Sequence, residues 1–564
     1  MKNLFKLSVA LLIAAFLLYS CDGISDSLKD DRLEDNPVPT PDVVEGDPGT
    51  ADFSRMVTIG NSLTAGFKDG ALYDLAQSYS FGAQLSAQLA LAGGSDTFNQ
   101  PDINSVNGFN SAASNPAEGI ILGRFKLDTS IPGPSPVING ELPTDFEGDR
   151  SALNNFGVPG IQVGQLLIPG TGTPGDPAFN PFYARFASQP GVSTILGDAL
   201  ATNPTFFTLW IGNNDVLGYA LSGATNPAIL TSSADFQQRY QAVIQQLAGS
   251  GAKGVIGTIP NVLAIPHFQA VQWNVLQFGE EEAAQLNAGL ATLNAVYAGM
   301  ADSNFGPLAD FDEEDEEQRR VEYVAGRNPV LIVDPDLMDL EPQFDFLLAA
   351  GQIDEQQRAA LEPYRQARPM VQGELLLLAA ATQLGTLADP DNPTSIRGVV
   401  LPLAPQFSLT MNNIIEVETA RQTFNGTMKA IVEQVNASAG EPQIAVVDFD
   451  GPQSIFTRLL GLDGSGLGVQ VGTRTLAPDF SPNGVFSTDG IHPNARGIAL
   501  VTNDYIRAIE DAFGATIPRI SDGQILNIPS VQVCAGDCVS QQSGRGVNMS
   551  EMPEYDFFNF NFSY

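Results

Sequence analysis

Met56-Val57-Thr58-Ile59-Gly60-Asn61-Ser62-Leu63 joins an apolar, β-prone run to a glycine and then, two residues on, to a serine. In an open α/β sheet, ligands bind outside the carboxyl ends of the strands. A serine just past such a strand end is placed for chemistry, although serine there also serves as a helix cap. Which role Ser62 takes depends on what the rest of the chain brings to it.

Working outward, Leu72 to Leu91 carries apolar residues at helical spacing, and Thr97 to Gly148 is polar and aperiodic, a long loop insertion. Leu153 to Gly160 ends a second strand in a glycine turn, and Pro169 to Pro190 is irregular. Pro204 to Ile211 is a continuous apolar run of strand length, suited to a strand buried on both faces, and stops at Gly212-Asn213-Asn214-Asp215. A helix over Phe236–Leu247 leads to a fourth strand over Gly254–Pro260. Further helices are expected over Glu280–Ala301, within Leu337–Leu387 and over Ile414–Val435. Asp310 to Glu317 is an acidic run read as a solvated loop or helix start, and Glu374–Ala381 as a buried helix, a lid or an acyl-chain wall. A fifth strand over Gln443–Phe449 and a closing helix over Ala495–Phe513 complete the pattern. Strands alternating with helices predict an α/β fold of flavodoxin-like type: a five-stranded, mainly parallel sheet in three α/β/α layers, with helical insertions.

The composition narrows the function. With 64 acidic and 27 basic residues the formal net charge is −37, which argues against nucleic acid as a partner. An acidic surface with only seven lysines also suits high salt, where screening weakens self-repulsion. Lys2 and Lys6 precede an apolar segment, Leu7–Leu18, too short to span a membrane as a stable helix, and Leu18-Tyr19-Ser20-Cys21 follows. That arrangement resembles a bacterial lipoprotein signal. It implies removal of residues 1–20, lipidation of Cys21, and anchoring of an exported protein in the cell envelope, with the outer membrane expected. Residues 21–52 then read as an acidic flexible tether, 53–515 as one domain with insertions at about 97–150 and 262–440, and 516–564 as a C-terminal tail. In an exported chain, Cys534 and Cys538 are expected to form a disulfide, and Phe558–Tyr564 alternates like an edge strand.

Four pieces stand in order: Gly60-Asn61-Ser62-Leu63, Val158-Pro159-Gly160, Gly212-Asn213-Asn214-Asp215 and Asp489-Gly490-Ile491-His492-Pro493. The set resembles the SGNH (GDSL-type) hydrolase family, whose blocks carry Ser, Gly, Asn and His in that order. Asn61 departs from the Asp that the family name implies. The resemblance implies Ser62 as nucleophile, His492 as base and Asp489 as its orienting acid. It also implies an oxyanion hole from the Ser62 and Gly160 N–H groups and the Asn214 amide. Asn213 competes for the last role, and Asp489 could instead cap the final helix. Asp215 is read as a brace for the Asn214 loop. His267, the second of two histidines, is read as a loop or core residue with a substrate contact left open. No Gly-x-Ser-x-Gly elbow, His-Glu-x-x-His or Walker A loop occurs. The expected reaction is hydrolysis of an acyl ester through an acyl-enzyme, with no cofactor or metal. Carbohydrate O-deacetylation and a non-catalytic binding lipoprotein are the alternatives.

Overall fold

A computed structural model describes residues 45–128, 133–392, 394–451, 454–464, 466 and 468–539. The signal segment 1–20, Cys21, the tether up to residue 44 and the tail strand Phe558–Tyr564 lie outside these residues. Five strands form the central sheet: β1 (Met56–Gly60), β2 (Asn155–Gly157), β3 (Phe206–Trp210), β4 (Lys253–Gly257) and β5 (Ile444–Val447). Their order is β5-β4-β3-β1-β2, and every pairing is parallel. The three-layer α/β/α fold read from the sequence is therefore the one observed, with a sheet that is parallel throughout.

Burial on both faces explains the unbroken apolar runs. In β3, Phe206 and Trp210 point one way and meet Phe513, Tyr505 and Phe81. Six helices concern the site: α1 (Ser62–Ala65), α2 (Phe81–Ala90), α3 (Asn214–Leu221), α4 (Ser233–Gly249), α5 (Met411–Ala439) and α6 (Ala495–Phe513). The rings just named belong to β3, α2 and α6. A second pair, α4 and α5, is joined by Phe236 stacked on Phe424 at 4.1 Å. The expected single helix over Leu72–Leu91 is interrupted: Ser80 leaves the helical region and its Oγ caps α2 by accepting from Ala83 N–H, with a short helix, Asp74–Ser78, before it.

Between Val271 and Leu403 the chain builds a second hydrophobic core of its own around the helix Glu280–Ala301, whereas α5 packs into the first core. The acidic run becomes a helix, Glu313–Arg319, capped by Asp312 with four acids in its first turn, where the helix dipole favours them. Glu374–Ala381 is not the helix expected. Leu375–Leu376 pairs antiparallel with Ser408–Leu409, and Leu378–Thr382 is a 3₁₀ turn. Successive leucines serve different cores, Leu376 the second and Leu377 the first, an alternation that suits a strand. Glu374 is meanwhile tied to Arg368 Nη1 at 2.9 Å.

The 97–148 segment is largely irregular but holds a hairpin, Phe125–Asp128 with Gly133–Pro136. The tail lies along it: Leu127 N–H donates to Gln532 O and Cys534 N–H to Leu127 O, and Cys534 and Cys538 are joined in a disulfide. Among the described residues no helix is long and apolar enough to cross a membrane.

Candidate active site

β1 lies between β3 and the edge strand β2, so its carboxyl end opens one strand in from the side of the sheet. It must end in glycine, because a Cβ at Gly60 would overlap the Trp210 carbonyl oxygen and Thr64 Oγ1. Asn61 then caps α1, its Oδ1 accepting from Leu63 N–H at 3.1 Å. The cap is thus Asn61, and Ser62 is the first helical residue, 8% exposed. Its N–H has no acceptor among the described residues. Asn61 Nδ2 also donates to Asn213 Oδ1 at 3.2 Å, linking the first block to the third.

The fourth block arrives from 430 residues away. With His492 Nδ1–H donating to Asp489 Oδ2 at 2.9 Å, Nε2 is left to accept from Ser62 Oγ, also at 2.9 Å. The Asp489 carboxylate is heavily solvated by the protein. Its Oδ1 accepts from Ser487 Oγ–H and from the N–H groups of Ile491 and His492 at 2.8–3.0 Å, and its Oδ2 from Gly70 N–H at 3.1 Å. Burial alone would raise this carboxyl. The His492 charge and hydrogen bonds, with the backbone donors, outweigh it and hold the group well below the ordinary carboxylate range. Asp489 therefore orients the histidine; α6 is capped by Asn494 instead, through Arg496 and Gly497 N–H.

Gly160, in the left-handed region with φ +82°, is exposed and its N–H has no acceptor among the described residues. Asn214 stands at the start of α3, half-buried, with Nδ2 donating to Ile161 O at 2.9 Å. One amide N–H is spent there and one remains. Asn213, by contrast, is buried with its carbonyl turned to Asn61. Asp215 is fully buried and accepts from Val163 N–H at 2.9 Å and Thr231 Oγ–H at 2.8 Å, so it braces the loop after β2 against α3. Burial raises its carboxyl to about 6.

His267 supports the Asp489–His492 loop from outside. Its N–H donates to Gly490 O at 2.9 Å, while its imidazole Nδ1 is buried with no partner among the described residues. Burial lowers the imidazole to about 4, so it is neutral at pH 7. A Cβ at Gly490 would stand 3.5 Å from Leu378 Cδ2, which sets the 3₁₀ turn of the insertion beside this loop. On another side the Phe67 ring lies 5.4 Å from the His492 ring and 6.1 Å from Phe182, all half-buried.

The sequence reading missed the turn Phe67-Lys68-Asp69-Gly70. Asp69 Oδ1 accepts from Thr488 N–H at 2.9 Å and Thr488 Oγ–H at 2.7 Å, and Oδ2 accepts from Tyr73 OH at 2.6 Å. Asp69 N–H donates to Ser487 Oγ at 3.2 Å. The Asp-Gly pair signals a turn in the sequence, but nothing in its spacing shows a partner 419 residues on.

A model of the family described as GDSL-like Lipase/Acylhydrolase matches residues 345–505, a span that holds Asp489 and His492 but not Ser62, Gly160 or Asn214. No curated protein matches the chain.

Proposed function

We propose that the chain is an SGNH (GDSL-type) hydrolase, a serine esterase or lipase that cleaves acyl esters through an acyl-enzyme on Ser62. The observation that carries the reading is the relay of two 2.9 Å bonds, Ser62 to His492 and His492 to Asp489. Ser62 Oγ attacks the acyl carbon as His492 Nε2 takes its proton. The oxyanion is met by the Ser62 and Gly160 N–H groups and the free Asn214 amide N–H, donors that need no reorganisation. His492 returns the proton to the leaving alkoxide. Water then repeats the cycle: His492 takes its proton as its oxygen adds to the acyl carbon, the bond from that carbon to Ser62 Oγ breaks, His492 returns the proton to Oγ, and the carboxylic acid departs. Asp489 holds the tautomer and balances the imidazolium throughout.

The half-buried side chains Phe67, Phe182 and Leu378 near the catalytic loop favour an acyl chain over a sugar as the group accommodated. Lipidation at Cys21, an envelope location at the outer membrane and a disulfide-closed tail belong to the same reading, supported by the Leu18–Cys21 motif. p-Nitrophenyl esters of graded chain length, assayed with wild type and Ser62→Ala, test it. Turnover that survives chain lengthening and is lost in the variant supports acyl-ester hydrolysis. Acetate-only turnover favours a deacetylase, and equal turnover by the variant removes the enzyme reading.

A further inference from the structure

Behind the catalytic loop lies a cavity that the reaction does not use. Its wall includes Lys68, Tyr79, Ala495, Ser530 and Gln532. Lys68 is 6% exposed, yet its ammonium makes no hydrogen bond or ion pair among the described residues; the Tyr79 ring, 5.9 Å away, is its recorded neighbour. The carboxylate next to it in sequence, Asp69, also lines the cavity and favours the charged ammonium, but both of its oxygens are hydrogen-bonded to Thr488 and Tyr73. Burying a cation with no anion hydrogen-bonded to it is costly, and the cost is relieved when one is supplied.

A second residue of interest, Ala495, lines the same cavity. Asn494 Oδ1 satisfies the N–H groups of Arg496 and Gly497, but the N–H of Ala495, first residue of the 19-residue α6, has no acceptor among the described residues. The positive end of a long helix and its free N–H favour a negative charge. Arg124 stands behind two residues of the wall: its guanidinium lies over Tyr73 at 4.5 Å and donates to Gln532 Oε1 at 2.8 Å, while its Nε is buried without a partner among the described residues.

We propose that this cavity binds a small monovalent anion, a halide or a short carboxylate, held between Lys68 Nζ and the Ala495 N–H. The anion is the partner the ammonium lacks, and its occupancy steadies the turn from which Asp69 and Gly70 support Thr488 and Asp489. Desolvation lowers the Lys68 ammonium to about 8, so it is still charged at neutral pH and available to an anion. The site stands independently of the reaction assigned above.

Thermal unfolding of the whole protein in sodium chloride, sodium formate and sodium gluconate at equal ionic strength tests the proposal. Chloride or formate raises the midpoint above that in gluconate, a bulkier and more strongly hydrated anion, and Lys68→Met abolishes the difference. Crystals of the wild type soaked in sodium bromide show an anomalous peak in the cavity beside Lys68, which keeps the test alive if Lys68→Met does not fold. Equal midpoints in all three salts, a difference that persists in Lys68→Met, or bromide found only elsewhere overturns it.

Discussion

Asp69 never reaches the reacting atoms, yet replacing it should slow the reaction. Its carboxylate receives three hydrogen bonds of 2.6–2.9 Å, two of them from Thr488, which precedes Asp489. Bonds to a charged acceptor contribute about 1.5–3 kcal/mol each and neutral ones about 0.5–1.5. Asp69→Asn keeps the shape, and Asn tolerates the positive φ of 56° found there. It can still accept from Thr488, and its amide can donate to the Tyr73 oxygen. The loss is then the charge assistance on the two Thr488 bonds, about 2 kcal/mol in all. If roughly half of that is felt as a looser His492–Asp489 geometry, kcat falls by about fivefold to tenfold, since 1.36 kcal/mol is tenfold. KM for p-nitrophenyl acetate stays put, because no substrate contact is removed. Stopped assays for kcat and KM, beside urea unfolding, separate the cases. Lowered stability with unchanged kcat refutes the positioning argument, and so does a rise in KM alone.

Other perturbations follow from the same geometry. Asn214→Ala removes a donor from the proposed oxyanion hole and should lower kcat about 10²–10³-fold; Asn213→Ala, whose amide carbonyl faces Asn61, should cost far less, and the reverse order exchanges their roles. Gly60→Ala forces a Cβ onto the Trp210 carbonyl and Thr64, so urea unfolding should show a loss of about 1–3 kcal/mol; an unchanged midpoint contradicts the packing at the end of β1. Asp215 has its carboxyl raised to about 6, so the native state holds a proton that the unfolded chain releases above its ordinary 3.8. Stability therefore falls as pH rises through that window, by about 3 kcal/mol at most, and Asp215→Asn should erase that slope in urea titrations from pH 4 to 7.

Legibility in the sequence followed the range of the forces involved. The five strands were readable because burial on both faces of a parallel sheet demands continuous apolar runs, as in Phe206–Trp210. The Ser62, Asn214 and His492 blocks were readable because each sits just beyond a strand or before a helix, where short motifs carry the chemistry. Glu374–Ala381 misled because a run of leucines has no period of its own; only the presence of two cores, one on each side, makes it a strand and a turn. Asp69 and Gly70 were invisible as supports for Ser487, Thr488 and Asp489, since contacts between residues more than 400 positions apart leave no mark on local pattern. Lys68 was likewise hidden: a lone lysine after a short helix reads as surface until its burial is known.

The central claim is that Ser62 is an activated nucleophile, and covalent labelling tests it most directly. Wild-type protein treated with a fluorophosphonate and digested should show one adduct in the peptide containing Ser62. Ser62→Ala should show none, and His492→Ala should label far more slowly. An adduct on another serine, or equal labelling in the Ser62→Ala protein, contradicts the account.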